Sequence, residues 1–433
     1  MKVALDAMGG DLAPKAVVEG GVLAALDFGV EVLLVGDREI VSRELGEHDQ
    51  RGASIRVEHA PETITMDDSP LEAVIAKPHS SISVGLELVR NGQCDAFVSA
   101  GNSGAVMVAA SAVLGPLSGV DRPAIASIIP TSQGFALLID AGANTEVKAA
   151  NLVQFAVMGS VYWKRVRGVQ RPRIGILANG EEASKGTDLT RAAAATLGEF
   201  PQLINYRGYV EGRDINRGKA DVIVTDGFTG NAVLKTMEGF APFMLGKLRE
   251  VLGGSWRGRF AYLLVRKQLR AMVERLDPHE YGGAPLLGVN GITVIAHGSS
   301  NPRAIRNAVR AAADEALVHQ VNLEISDVLA KIQVAAPAAA KPQSKGIRAL
   351  VGRLRERLHR RSREGEDDAH LGELAADSAR GHETGELRGT QGLANQAPAS
   401  TNGVALGGEH AADKSPVAKP AAPIDPAAPT KTS

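Results

Sequence analysis

A short apolar run that leads through a glycine-containing turn into a helix is the feature that most constrains this fold. Val222–Val224 is too short for a helix and is typical of a buried strand. Residues 226–231, with the sequence DGFTGN, follow it, and apolar residues then recur at helical spacing. Glycines let a ligand approach the backbone, and the first N–H groups of a helix lack intrahelical partners, so such a turn suits an anion. Taken alone, the turn is better explained by the backbone shape that glycine permits.

Six predicted strands are followed by small, polar, glycine-containing turns of this kind. The turns are DAMGGD (6–11), AGNSGA (100–105), DAGAN (140–144), ANGEE (178–182), DGFTGN (226–231) and AHGSSN (296–301). Strands and helices that alternate in this way predict an α/β fold with a mostly parallel sheet and helices on both faces. Ligands of such sheets bind beyond the carboxyl ends of the strands, so we expect the six turns to line a single cleft for an anionic ligand.

The composition excludes several classes of protein. A chain of 433 residues with 44% hydrophobic content can bury a large core, and a formal net charge of -1 gives no argument for nucleic-acid binding. Cys94 is the only cysteine, which excludes an intrachain disulfide framework and a multi-cysteine zinc site. No apolar stretch has the length of a signal peptide or a membrane span, so we expect a cytoplasmic protein.

Sequence motifs for nucleotide, serine-hydrolase and zinc-protease sites are missing. No GxGxxG follows a predicted strand, and neither Gly-Lys pair (218–219 and 246–247) precedes Ser or Thr. Neither GxSxG nor HExxH occurs. Asp67 and Asp68 are a weak metal-binding candidate, for which a solvated loop is the simpler interpretation. We therefore predict no metal and no nucleotide cofactor.

Seven motifs, in order, resemble those of the PlsX-type bacterial phosphate acyltransferases over about residues 1–334. They are DAMGGD, GNSGA, DAGAN, NGEE-x-x-KGT, DGFTGN-x-x-LK, YGGAPLLGVNG and HGSSN. The resemblance implies a catalytic domain in which phosphate attacks the thioester of acyl–acyl carrier protein, giving acyl phosphate. That product feeds a glycerol-phosphate acyltransferase in phospholipid synthesis. The resemblance further implies a fold like that of the isopropylmalate dehydrogenase and phosphotransacetylase group, a homodimer, and no cofactor.

Lys185, Asn231 and His297 are our candidates for catalysis, and Asn102 is considered with Asn231 as a further amide donor. Lys185 is predicted to neutralise phosphate or the developing oxyanion, and a solvated lysine beside two glutamates is the alternative. Asn231 and Asn102 are predicted amide donors to an oxyanion, or else N-caps of their helices. His297 is predicted to protonate the leaving thiolate, with a hydrogen-bonded loop histidine as the alternative.

The remaining candidates are residues of the same turns that offer backbone N–H groups or small polar side chains to phosphate or substrate. Together with the amide of Asn102, they are Asp6, Gly9, Gly10, Ser103, Gly104, Asn144, Gly230 and Ser300.

Residues 239–277 predict a protruding helical hairpin with a bend at residues 253–255. Basic residues outnumber acidic ones along it, and aromatic residues lie at the bend. A basic amphipathic hairpin suits the inner face of a membrane, peripherally bound, or an acidic carrier protein. The predicted contacts are Trp256, Arg257, Arg259 and Phe260. The alternative is a hairpin that packs a dimer.

The composition changes after about residue 334. Residues 335–433 are rich in Ala, Pro, Gly and charge without a sustained period, which predicts a disordered tail. Within it, residues 346–363 place apolar residues on one helical face and arginines elsewhere. This segment is either a second membrane-contact helix or a solvated charged helix.

Two other classes of function remain open from the sequence. A metal- and nicotinamide-dependent dehydrogenase on the related fold needs paired carboxylates, and the sequence offers no compelling set. A non-catalytic membrane scaffold explains the basic helices but leaves six ligand-type turns without a role.

Overall fold

A computed structural model describes residues 1–276, 282–314 and 318–335 of the chain. The strands in these ranges are β1 Lys2–Asp6, β2 Glu31–Gly36, β3 Ile55–His59, β4 Ala96–Ser99, β5 Ala124–Thr131, β6 Gly134–Ile139, β7 Ile174–Leu177, β8 Tyr206–Val210, β9 Val222–Val224, β10 Ala284–Leu287 and β11 Ile292–Ile295. They form one sheet in the order β3-β2-β1-β4-β11-β10-β5-β6-β9-β7-β8.

Helices follow most of the strands. They are α1 Lys15–Phe28, α2 Arg38–Leu45, α3 Pro70–Ala76, α4 Ser81–Arg90, α5 Ser103–Val113, α6 Ala149–Arg167, α7 Asp188–Gly198, α8 Gly227–Gly253, α9 Trp256–Leu276, α10 Pro302–Asp314 and α11 Val318–Ala335. Thr187 caps α7, because its hydroxyl oxygen accepts the N–H of Thr190. At α10, Asn301 likewise accepts the N–H of Ala304 at 2.9 Å.

The core confirms the predicted α/β class with helices on both faces of a mostly parallel sheet. Along β4, Val98 belongs to one buried cluster and its neighbour Phe97 to the other. Helix α6 packs into the first cluster through residues such as Phe155, and α5 packs into the second through Val106. The strands are short. Because helices cover both faces of the sheet, the strands are continuously apolar rather than alternating between apolar and polar residues.

The direction of the strands corrects the expectation that all six turns leave the sheet at one edge. β10 pairs antiparallel with β11 and with β5, and β5 pairs antiparallel with β6. The strands β6, β9, β7 and β8 are parallel to one another and therefore run opposite to β1, β4 and β11. The six turns consequently leave the sheet at opposite edges, three at each, and do not line one edge as predicted.

The predicted hairpin differs from the observed one at its first helix. Helix α8 is one continuous helix that already begins at Gly227, so the glycine-rich stretch 227–231 is its first turn and not a separate loop. The bend before α9 falls where it was predicted, and Trp256 beside it is 75% exposed. Within the described ranges, no helix is long and apolar enough to cross a bilayer. The predicted tail beyond residue 335 and its helix at residues 346–363 lie outside the described residues.

Candidate active site

The turns after β1 and β4 meet around one buried carboxyl group. Asp6 is fully buried, and its Oδ2 accepts the hydroxyl hydrogen of Ser99 at 2.7 Å. The Ser99 oxygen in turn accepts the N–H of Gly101 at 3.0 Å. A Cβ at Gly9 would collide with Asp6 and lie 2.7 Å from the Gly101 nitrogen, so only glycine lets the two turns approach. Burial raises the pKa of Asp6 above its usual value, and the hydrogen bonds oppose that rise.

The turn after β11 completes this first group. The N–H of Asp11 donates to the carbonyl oxygen of Gly298 at 2.8 Å, and that oxygen lies 3.0 Å from where a Cβ at Gly10 would stand. Gly10 has a φ of 106°, which favours glycine. Ser300 is buried and donates its N–H to the carbonyl oxygen of His297 at 2.9 Å. The structure therefore brings the predicted residues of three turns together at one edge of the sheet.

Asn102 caps α5 and clamps the neighbouring loop. Its Oδ1 accepts the N–H of Ala105 at 3.1 Å, and its Nδ2 lies 3.0 Å from the carbonyl oxygen of Asp68 and 3.3 Å from those of Thr65 and Met66. This geometry favours the capping interpretation, because protein carbonyls already accept from the amide group. The carboxylate of Asp68 binds Lys77 at 2.6 Å, so it holds the loop rather than a metal.

Ser103 and Gly104 lie in the first turn of α5, directly after this cap. Gly104 packs against Pro70 of α3, where an added Cβ would lie 2.7 Å from the proline ring.

The turn after β6 is organised by a second buried carboxylate, Asp140. Its two oxygens accept five hydrogen bonds at 2.7–3.1 Å, from the N–H groups of Ile125, Gly142, Ala143 and Asn144 and from the Asn144 side chain. Burial raises the pKa of Asp140, and these hydrogen bonds oppose the rise. Asn144 is itself buried and also donates to the Pro123 carbonyl oxygen at 2.8 Å. Asn144 therefore stabilises the turn through hydrogen bonds made inside the protein.

Helix α8 begins in direct contact with this turn. Asp226 is its N-cap and accepts the N–H of Thr229 at 2.8 Å, so Asn231 lies within the helix and is not a cap. Gly230 has no space for a side chain, because a Cβ there would overlap the carbonyl oxygen of Asp140. The Asn231 amide lies beside Gly142, whose φ is 142°. The structure thus brings Asn231, Gly230 and the DAGAN turn together.

Lys185 lies in the turn after β7, the strand that neighbours β9. The N–H of Gly186 donates to Oδ1 of Asn179 at 2.9 Å, which closes this turn. Glu181 pairs with Lys219 at 2.8 Å, and the exposed Lys185 packs its methylene groups against Gly180. Lys185 is exposed, which is compatible with the alternative of a solvated lysine beside Glu181 and Glu182, and its catalytic role stays a prediction.

A cluster of side chains links helix α8 to the turn after β11. Nζ of Lys235 lies 2.7 Å from Oε2 of Glu238 and 2.9 Å from Nε2 of His297. Nδ1 of His297 lies 2.7 Å from the hydroxyl oxygen of Ser299. Nδ1 also accepts the backbone N–H of Ser299 at 3.2 Å, and Nε2 is the ring nitrogen that faces Lys235.

Sequence reasoning missed Lys235 and Glu238, although a signal was present. Asn231, Lys235 and Glu238 stand at positions i, i+4 and i+7 of one helix and therefore share a face. That face joins the DAGAN turn at one edge of the sheet to His297 at the other. The site can present amide and ammonium hydrogens to an anion. Among the described residues, no group of three or more His, Cys, Asp or Glu side chains has the arrangement of a metal site.

Comparison with known proteins identifies the class of this site. The chain matches the model of a family described as "Fatty acid synthesis protein" over residues 1–323. A phosphate acyltransferase from Geobacter sp. (strain M21) is 52% identical over 317 residues, which cover 73% of this chain and 90% of that protein. A phosphate acyltransferase from Geobacter sulfurreducens is 50% identical over 309 residues, which cover 71% and 89%.

Among solved structures, a phosphotransacetylase from Streptococcus pyogenes covers 73% of this chain and 94% of its own, with 17% identity and a TM-score of 0.49. The sequence matches at about half identity define the chain as an acyltransferase. It belongs to the family of PlsX-type phosphate acyltransferases.

Proposed function

We propose that this chain transfers a fatty acyl group from acyl–acyl carrier protein to inorganic phosphate, forming acyl phosphate for phospholipid synthesis. Membership of the family supports the reaction. The structural observation that carries the proposal is that one face of α8 joins Asn231, beside the DAGAN turn, to Lys235, in contact with His297. Amide and ammonium groups on one face suit both an anionic nucleophile and a developing oxyanion.

In the proposed reaction, an oxygen of hydrogen phosphate forms a bond to the thioester carbonyl carbon, and the carbonyl electron pair moves to oxygen. The oxyanion then collapses, the C–S bond breaks, and its electron pair leaves with sulfur. The thiolate receives the proton that hydrogen phosphate brought, which leaves acyl phosphate and the free thiol. No redox partner is needed for this balance.

The candidate residues take distinct steps in this proposal. The amide of Asn231 donates to the oxyanion, a contact worth about 2.7–4 kcal/mol of barrier in comparable sites. Lys185 neutralises negative charge from the turn after β7. To His297 we assign the transfer of the proton to the leaving thiolate.

We also propose that the hairpin of α8 and α9 contacts the inner face of the membrane or the carrier protein. Trp256 and Phe260 are exposed at the bend, and Arg257 and Arg259 lie beside them. Exposed aromatic and basic groups in one place favour a reversible contact with an anionic surface. In this proposal the chain works as a cytoplasmic homodimer that passes acyl phosphate to a membrane-bound glycerol-phosphate acyltransferase.

The direct test is product formation by the full chain. Purified protein is mixed with acyl–acyl carrier protein and phosphate, acyl phosphate is trapped as a hydroxamate, and free carrier protein is measured. We expect both products, only with phosphate present and equally with EDTA. Loss of activity on chelation that a divalent ion restores, or a change in nicotinamide absorbance with NAD in place of acyl transfer, would contradict the proposal.

A further inference from the structure

Lys235 is held in one position by two partners from different parts of the chain. Glu238 lies one turn further along α8, and its carboxylate is 2.7 Å from Nζ. His297 comes from the turn after β11 and places Nε2 at 2.9 Å from the same nitrogen. The Glu238 side chain is only 22% exposed, whereas that of Lys235 is 51% exposed. The carboxylate is therefore behind the ammonium group, which faces the accessible side.

The ammonium group keeps a hydrogen for a ligand. It has three N–H bonds, and the described part of the chain places two groups within hydrogen-bond distance of Nζ, Oε2 of Glu238 and Nε2 of His297. A lysine whose rotamer is fixed in this way loses little conformational freedom when it binds an anion. Enzymes of phosphoryl transfer use the same device, a glutamate that positions a lysine next to phosphate oxygens.

The position of Lys235 connects the two groups of turns. One helical turn before it, Asn231 lies against Gly142 of the DAGAN turn. Its partner His297 precedes Gly298, whose carbonyl oxygen binds the N–H of Asp11. An anion beside Nζ is thus within reach of groups from both edges of the sheet. Within the part of the chain that the structure describes, Lys185 in the turn after β7 has no comparable partner from the turn after β11.

We propose that Lys235 is a catalytic residue that binds the phosphate nucleophile, that Glu238 is a positioning residue for its ammonium group, and that His297, besides its proton transfer, contacts the same group. The inference rests on the proposed function for the identity of the anion, inorganic phosphate. It assigns the main phosphate contact to helix α8 instead of to the turn that carries Lys185. Lysine suits this role because it is a compact charge that contacts phosphate without a bidentate geometry.

The same helix contains a matched control. Lys247 pairs with Glu250 at 2.9 Å, also at i, i+3 spacing, and its side chain is 55% exposed. It lies twelve residues further along α8, about 18 Å along the helix axis. Lys235→Ala and Lys247→Ala therefore remove the same charge and the same kind of ion pair from one helix, inside and outside the site.

The experiment measures turnover and phosphate binding with the full chain. For Lys235→Ala we expect about a 100-fold loss of kcat/KM for phosphate with an unchanged KM for acyl–acyl carrier protein. Lys235→Arg should recover part of the loss, and Glu238→Gln should raise the phosphate KM by a smaller factor. Lys247→Ala should keep the phosphate KM and the phosphate affinity of the unchanged protein. Thermal unfolding checks that each variant is folded.

Calorimetric titration with inorganic phosphate, without acyl donor, separates this inference from the proposed function. If the unchanged protein binds phosphate and Lys235→Ala binds it at least tenfold more weakly, the assignment holds even if no acyl phosphate is formed. Equal phosphate affinity and equal phosphate KM in the two proteins would overturn it. Failure of the unchanged protein to bind phosphate at all would overturn it as well.

Discussion

Replacing Gly230 with alanine should destabilise the protein because there is no space for one methyl group. A Cβ at this position would overlap the carbonyl oxygen of Asp140 and lie 3.0 Å from Cγ2 of Thr225. The Asp140 backbone cannot easily move away, because its buried carboxylate is fixed by five hydrogen bonds from the DAGAN turn and its surroundings. The first turn of α8 must therefore shift instead.

The expected change in the free energy of unfolding is the sum of two opposing contributions. Alanine favours a helix interior over glycine by about 1 kcal/mol. Overpacking of a rigid site costs about 1–3 kcal/mol, and the direct overlap with a backbone atom puts Gly230→Ala towards the upper end of that range. We expect a net loss of about 2 kcal/mol in the free energy of unfolding. Because Asn231 is the next residue, acyl transfer should fall as well.

Gly239→Ala provides the matched control on the same helix. No heavy atom lies within 4 Å of a Cβ built at Gly239, so only the helix preference remains, and we expect a gain of about 0.5–1 kcal/mol. Urea unfolding followed by circular dichroism measures both variants against the unchanged chain. The two substitutions should shift the midpoint in opposite directions. Equal shifts would refute the close packing of α8 on the Asp140 turn.

Three further predictions address the site, the hairpin and pH. Lys185→Ala and Asn231→Ala should each lower turnover at least tenfold, about 1.4 kcal/mol of barrier, with little change in melting temperature; near-normal turnover in both would contradict their assignment. Trp256→Glu combined with Phe260→Glu should release the protein from anionic liposomes in a flotation assay while activity on soluble acyl-carrier protein persists; unchanged binding would assign the bend to another contact. Because burial raises the folded-state pKa of Asp6, the folded state binds more protons, and stability falls as the pH rises from the unfolded value of about 3.8 through the folded one. Asp6→Asn should reduce this loss of stability with rising pH. Urea titrations of both proteins between pH 4 and 7 would measure the effect, and identical slopes of stability against pH would contradict the prediction.

The alternation of strands and helices was predictable because it depends on local periodicity. The positions of β1, β4, β9 and β11 follow from short apolar runs, and the start of α10 follows from Asn301 and Pro302. The segment that forms α3 and α4 was not predicted. In α4 the buried face contains Ser81, Ser83 and Gly85, which lack the apolar signal of a core helix. Gly85 is buried because the ring of Phe97 packs directly on it.

The candidate site was predictable residue by residue only in part. The turns that contain Asp6, Asn231 and His297 stand out by their glycines and polar groups in the sequence. Their partners do not, since Ser99 is 93 residues from Asp6 and Lys235 is 62 residues from His297. No spacing rule connects such pairs, because only chain folding brings them together.

The sequence by itself determined the fold class, the anion-suited turns and the family, because each is encoded in local periodicity or in ordered motifs. The tertiary structure decided how these turns are arranged. Three antiparallel pairings, of β11 with β10, of β10 with β5 and of β5 with β6, reverse half of the sheet and send the turns to opposite edges. Helix α8 then joins the two edges through the contact between Lys235 and His297. Strand direction depends on which strands pair, and pairing is a property of the folded chain that the period of a single strand does not contain.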